Sequence, residues 1–64
     1  MIVETDDQIY IFEFKRDKSA EEALAQIEEK GYAAPYAADS RKLYKIGMNF
    51  NSGKRELDGW VVAE

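Results

Sequence analysis

Neither cysteine nor histidine occurs in this chain of 64 residues. Without thiols there is no disulfide, no Cys-ligated zinc and no thiolate chemistry. Without imidazole the commonest general base, the Ser-His and Cys-His dyads and the usual zinc ligand fall away together. Any catalysis must run on carboxylates, lysine, tyrosine or a hard cation held by oxygen, for which magnesium or manganese fits best. Long hydrophobic runs are missing too. No stretch approaches the roughly 20 apolar residues of a membrane span, and Met1-Ile2-Val3-Glu4-Thr5-Asp6-Asp7 lacks the basic start and apolar centre of a secretory signal. The expected setting is a soluble protein of the cytoplasm with no membrane partner.

Basic residues are outnumbered, 9 against 13 acidic, giving a net charge of −4 and a pI near 4.7. That balance argues against a free-standing nonspecific nucleic-acid binder, whose affinity rests on Lys and Arg. The basic residues are clustered, however, with Lys15, Arg16 and Lys18 in one group and Arg41, Lys42 and Lys45 in another. A local positive patch survives the acidic total. The length allows one domain at most, residues 1–64, and so short a chain buries only about 60% of its unfolded surface.

Met1 to Glu4 reads as a short strand and Thr5-Asp6-Asp7-Gln8 as a hairpin loop leading into the apolar run Ile9 to Lys15. Ser19-Ala20-Glu21-Glu22 is a capping box. The stripe Ala20, Ala23, Leu24, Ile27 that follows has the spacing of an amphipathic helix, which Lys30 and Gly31 end. Glu21, Glu22, Glu28 and Glu29 fill its solvent side. An Ala-rich connection broken by Pro35 follows, with Tyr32 and Tyr36 expected to pack it on the sheet. Arg41 to Phe50 alternates Tyr44, Ile46, Met48 and Phe50 against Lys45, Gly47 and Asn49, and Asn51-Ser52-Gly53-Lys54 turns it into a last strand, Arg55 to Glu64. The expected fold is α/β (α+β), ββαββ, with one helix on a mixed sheet and the strand after the helix parallel to Ile9 to Lys15.

The run Ile9-Tyr10-Ile11-Phe12-Glu13-Phe14-Lys15 carries the chemistry. Glu13 and Lys15 are one strand period apart, so both project from the face that begins with Ile9 and Ile11. Tyr10, Phe12 and Phe14 make the other face aromatic. A strand apolar on both sides is expected to be central and covered by further layers. An acid and a lysine leaving such a strand together can hold a divalent cation and steady a phosphate. The plainer reading is a solvated surface pair worth about 0–1 kcal/mol, since a bare E-x-K arises easily in a chain with 34% charged residues. On the helix, Gln26 and Lys30 are stacked one turn apart on the flank of the buried stripe. They are either boundary residues or groups overlooking the Glu13/Lys15 end.

Tyr10-Ile11-Phe12-Glu13-Phe14-Lys15, then Ala23-Leu24-Ala25-Gln26-Ile27 through Lys30-Gly31-Tyr32, then Lys45-Ile46-Gly47-Met48-Asn49-Phe50 resemble the PD-(D/E)XK nuclease superfamily. The closer likeness is to the nuclease-like domain at the C-terminus of bacterial proteins that begin with an AAA-ATPase-like domain. The resemblance implies a partial restriction-endonuclease-like core. In it Glu13 is a metal ligand, Lys15 stabilises the attacking water or the phosphorane charge, and Gln26 is the accompanying helix glutamine. It further implies that Lys15, Arg16 and Lys30 contact nucleic acid, and that the intact parent domain uses Mg2+ or Mn2+.

The motif Asp of the superfamily falls immediately before Met1. Hairpin geometry gives the same place independently: a four-residue loop at 5–8 pairs Glu4 with Ile9 and Met1 with Phe12, so the preceding position faces Glu13. The chain is thus expected to be a fragment of a larger nuclease-like domain, inactive alone with no metal bound. It is also expected to self-associate as a homodimer, or to pair with a partner domain of its own polypeptide, through uncovered sheet. The alternatives are a non-catalytic interaction module pairing through sheet edges and a small domain with no site.

Overall fold

The computed structural model describes residues 1–64. Its elements run β1 (Ile2–Glu4), β2 (Gln8–Arg16), α1 (Ala20–Lys30), a 3-10 turn (Ala34–Tyr36), β3 (Lys42–Asn51) and β4 (Glu56–Ala63). One four-stranded sheet has the order β1-β2-β3-β4. The outer pairs are antiparallel and β2 runs parallel to β3, so the expected ββαββ mixed sheet is the one that forms. No helix is long and apolar enough to cross a membrane.

Local chemistry sets the helix ends. Ser19, extended at φ −142°, accepts the Glu22 N–H on its hydroxyl at 3.1 Å, and its own O–H donates to the Glu22 carboxylate. Gly31 adopts φ 66°, and the N–H groups of Gly31 and Tyr32 donate to the Glu28 and Ile27 carbonyls. Between these caps the stripe read from the sequence is the buried one. Ala20, Ala23 and Ile27 turn to the sheet, where Ile9, Ile11 and Ile27 form a fully buried centre. Leu24, Tyr32, Ala33, Tyr36 and Leu43 pack around it, so the two tyrosines hold the connection on the sheet as expected.

The helix covers one face only. In β2 the series Ile9, Ile11, Glu13, Lys15 lies under it, and register places Leu43, Lys45, Gly47 and Asn49 of β3 on the same side. The aromatic series Tyr10, Phe12, Phe14 faces solvent together with Tyr44, Ile46, Met48 and Phe50. Tyr10 stacks on Tyr44 with ring centroids 5.4 Å apart. This corrects the expectation that β2 is covered on both sides: it is central in the sheet, yet Phe14 remains 51% exposed.

On β3 the helix has chosen the less apolar face, and Gly47 explains the choice. A Cβ there would strike the Ala20 carbonyl oxygen and lie 2.6 Å from the Leu24 nitrogen. Only a glycine lets the helix backbone lie this close. Lys45 and Asn49, on either side of it, are both neutralised by partners. Lys45 reaches up to Glu28, which corrects the reading of Glu28 as purely solvated. Asn49, only 3% exposed, accepts the Lys18 N–H at 2.9 Å and donates to Asp58 at 2.8 Å.

A second polar lock closes the other end. Arg41 grips Asp39 through two nitrogens, Nε at 3.0 Å and Nη2 at 2.7 Å, and also donates to Glu4 and to the Thr5 carbonyl. It thereby ties the end of β1 to the connection before β3. The Arg41 side chain, then its backbone N–H, hold the Asp39 carboxyl down to about 2. Asp58 and Asp17 are lowered in the same direction, by Asn49 and by Ser52 respectively.

Two outcomes are expected. Gly47→Ala should destabilise the chain by about 1–3 kcal/mol, because the new methyl meets helix backbone that cannot rotate away; urea unfolding measures this. A carboxyl depressed in the folded state contributes its full stabilisation above the ordinary range near about 4 and loses it as protons bind. Stability should therefore fall as pH drops from about 4 through about 2. Asp39→Asn should be less stable at neutral pH and should lose less across that acid window.

Candidate active site

Glu13 and Lys15 emerge side by side from β2 on the helix side, both half-buried, with exposed Phe14 between them on the opposite face. Glu13 is in register with Gly47 and Lys15 with Asn49. The close approach of the helix at Gly47 therefore places the first turns of α1 beside Glu13. The strand exit is held rigidly. Asp17, at φ 55°, donates its N–H to the Phe50 carbonyl at 2.8 Å and accepts the Ser52 N–H at 2.8 Å and the Ser52 hydroxyl. With Asn49 holding Lys18, the segment carrying Lys15 is fastened to the turn between β3 and β4.

Gln26 lies on α1 next to Ile27, which packs on Ile9 and Ile11. Glu28 reaches Lys45 and so marks the α1 flank that looks toward β3. Gln26, two residues earlier and about 200° round the helix, lies on the opposite flank, away from β3. Its Oε1 is buried without a hydrogen-bond partner. Glu13 and Lys15 are likewise uncommitted. The chain's ion pairs are Arg41–Glu4, Arg41–Asp39, Lys42–Glu64 and Lys45–Glu28, and neither residue joins one. A half-buried carboxylate and a half-buried ammonium on β2, and an orphaned amide oxygen on α1, are thus left unpaired by the rest of the chain. Such groups suit a charged, oxygen-rich ligand.

The antiparallel ladder of β1 and β2 fixes what lies opposite Glu13. Glu4 pairs with Ile9 and Ile2 with Ile11. The Phe12 N–H donates to the Met1 carbonyl at 2.8 Å, and the Met1 amino group donates to the Phe12 carbonyl at 2.9 Å. The register is the one expected from the hairpin loop, and the next position N-terminal to Met1 would pair with Glu13 on the same face. Within residues 1–64, no three acidic side chains come together to hold an ion. Glu4 is engaged by Arg41 four residues back along β2, and Asp6 and Asp7 sit at the hairpin loop. Glu13 alone does not make a magnesium or manganese site, since such ions take one or two carboxylates together with substrate phosphates.

Arg16 and Lys30, the other basic residues expected to contact nucleic acid, lie apart from Glu13. Arg16 projects from the opposite sheet face, one residue beyond Lys15. Lys30 stands at the far end of α1, past Ile27 over the isoleucine centre, with its ammonium 6.0 Å from the Tyr32 ring. Lys15 is the basic side chain on the same face of β2 as Glu13, and the Met1 ammonium lies on the Phe12 carbonyl next to it. Sequence reasoning missed Asn49 and Asp17, which brace the site. The available signal was an Asn two residues after Gly47 on the helix-side parity of β3.

The sequence model of the PD-(D/E)XK nuclease superfamily matches residues 1–60. Among curated proteins, the chain is 36% identical over 64 residues to an uncharacterised protein in the vnfD 5′ region of Azotobacter chroococcum mcd 1. That alignment covers 97% of this chain and 12% of the relative, so the chain spans about an eighth of the relative's length. No solved structure matches it.

If Gln26 serves a ligand rather than the fold, its buried acceptor is a stability defect of about 1–3 kcal/mol. Gln26→Met keeps helix propensity and volume while removing the orphaned oxygen. Its unfolding free energy should equal or exceed the parent's by up to about 1 kcal/mol in urea titration; a clear loss would mean that the amide supports the fold.

Proposed function

This chain belongs to the PD-(D/E)XK nuclease superfamily, and we propose that it is the E-x-K half of a nuclease-like core that cleaves phosphodiesters once the opposing carboxylate is supplied. One observation carries the proposal: Glu13 and Lys15 stand unpaired and half-buried on one face of β2, while the ladder position facing Glu13 is the one immediately before Met1. An Asp there would stand beside Glu13 as a cross-strand pair.

The chain's own groups divide the work by charge. Lys15 binds a phosphate oxygen and stabilises negative charge as it builds in the transition state. Gln26 orients a water or a phosphate oxygen by hydrogen bonding from the helix flank. Glu13 contributes one carboxylate. Superfamily nucleases generally use divalent metal ions, which supply an activated water when bound. Residues 1–64 do not complete such a site, so this chain alone is proposed to be inactive, and magnesium or manganese belongs to the longer protein. In that protein residues 1–64 form part of a larger domain, C-terminal to an AAA-ATPase-like one, acting on nucleic acid in the cytoplasm. Arg16 and Lys30, remote from Glu13, contribute at most longer-range attraction for the polyanion.

A second reading, a non-catalytic interaction module, is favoured by the uncovered aromatic face. The two are separated by extending the chain through an Asp before Met1, titrating it with manganese and assaying single- and double-stranded DNA and RNA. The extended protein should bind the ion and cleave, whereas residues 1–64 should stay at background. Within it, Glu13→Gln should weaken metal binding at least about tenfold, because a neutral amide is a poorer ligand for a hard cation. Lys15→Ala should keep the metal and lose about 10²–10³ in turnover, and Gln26→Ala should lose less. An extended protein that binds no manganese would remove the nuclease reading.

A further inference from the structure

The nine basic residues fall into two groups, and the division follows their partners. Arg41, Lys42 and Lys45 are each held in an ion pair, and Lys30 stands over the Tyr32 ring. Lys15, Arg16, Lys18, Lys54 and Arg55 gather where β2 leaves the sheet and β3 turns into β4, and none of the five joins an ion pair. The carboxylates there are spent on neutral donors instead. Asp17 accepts from the Ser52 N–H and hydroxyl, and Asp58 from the Asn49 and Asn51 amides at 2.8 and 3.1 Å. Residues 15–18 and 51–58 thus set five cations against Asp17, Glu56 and Asp58, in a chain whose total charge is −4. The turn that carries Lys54 and Arg55 is fastened from both sides. Ser52 is latched to Asp17, and Asn51 accepts the Lys54 N–H at 3.0 Å while its own amide donates to Asp58. Arg55 adopts φ 54°, a left-handed conformation that glycine takes without strain. Local backbone preference therefore argues for glycine at 55, and the chain has arginine.

We propose that the turn between β3 and β4 is a phosphate-binding arm, with Lys54 and Arg55 holding the backbone of the nucleic acid that meets Glu13 and Lys15. The identity of this polyanion rests on the nuclease reading above. Lys15 is level with Asn49, and β3 ends two residues later at Asn51. At about 3.3 Å per residue, Lys54 and Arg55 lie on the order of 10 Å past Lys15. That is roughly three phosphates along one strand at about 3.4 Å each. One bound backbone can therefore touch Lys15 and the turn together, with the turn on flanking phosphates and Lys15 at the reacting one. Screening favours the same contact. In about 0.1 M salt a charge is felt over roughly 10 Å, so phosphates at the turn respond to its cations and not to the acids of the far end. A turn already fastened by Asn51 and Ser52 also binds with little ordering cost. It lies past the strand ends, so a cover on the open face of the sheet leaves it accessible.

Fluorescence anisotropy of a labelled DNA duplex, titrated with the 64-residue chain from about 50 mM salt upward, reads this contact without metal or cleavage. Lys54→Ala and Arg55→Gly should each weaken binding about 3- to 10-fold and flatten the slope of log K against log salt by roughly 1. Arg55→Lys should recover most of the affinity. Lys42→Ala, at the other end of the sheet, should change neither affinity nor slope. Arg55→Gly should keep or raise the urea midpoint, which separates lost binding from lost folding. No measurable binding would overturn the proposal, as would affinity and slope unmoved by both turn variants. Equal loss from Lys42→Ala would overturn it too, since net charge alone would then set the affinity, and so would capture by anionic vesicles in place of the duplex. In the protein extended through an Asp before Met1, the turn variants should raise KM more than they lower kcat. Cleavage with KM unmoved by either variant would remove the arm and leave the nuclease reading. An extended protein that binds no manganese, with the duplex contact still dependent on Lys54 and Arg55, would do the reverse.

Discussion

Everything in this small fold depends on the distance between α1 and β3, and that distance is set by the missing side chain at Gly47. With helix backbone nearly touching strand backbone at Ala20 and Leu24, the helix is drawn onto the face that carries Ile9 and Ile11. It leaves the more continuous apolar face of the sheet open. The close approach also rotates the helix into register. Its flanks become distinct, with Glu28 committed to Lys45 on the β3 side and Gln26, its amide oxygen buried and unpartnered, on the opposite flank. Glu13, level with Gly47, sits beside the first turns of the helix for the same reason.

Polar groups under the helix fall into two kinds. Asn49, Asp58, Asp17, Ser52 and Arg41 are bound to protein partners at ordinary hydrogen-bond distances, and they brace the two ends of the sheet. Glu13, Lys15 and Gln26 have none. A small domain with a core centred on three isoleucines gains nothing for its own stability from leaving an acid, an ammonium and a buried amide unmatched. That contrast sets the residues that brace the fold apart from the three that the fold leaves unmatched. It does so without relying on the E-x-K pattern, which by itself is common.

Much of this was legible in the chain. The capping box at Ser19 and the glycine at 31 bounded the helix. The four-residue hairpin loop gave the β1–β2 register, and the crossover through α1 gave the parallel pairing of β2 with β3. The face of β3 that the helix would take was not legible, because the alternation Tyr44, Ile46, Met48, Phe50 points to the wrong side. Hydrophobic pattern favours that series, and the clearance of a glycine decided against it. The bracing network was hidden for a related reason. Asn49 and Arg41 look like ordinary surface residues until the tertiary fold places Lys18, Asp58, Asp39 and Glu4 around them. Arg16 was misleading as a neighbour of Lys15, since adjacent strand residues leave on opposite faces.

The sheet therefore has two faces with separable physical roles. The helix side is narrow and polar at one end; the open side is broad and aromatic. Side-chain alternation along each strand keeps them apart, with the backbone of the sheet between the two series. A change at Glu13 or Gln26 leaves the aromatic face as it was. The one element that joins the two is the exit of β2, where Lys15 and Arg16 are consecutive and share the anchor formed by Asp17, Asn49 and Ser52. Loosening that anchor disturbs both faces at once, because it holds the strand end from which both side chains leave.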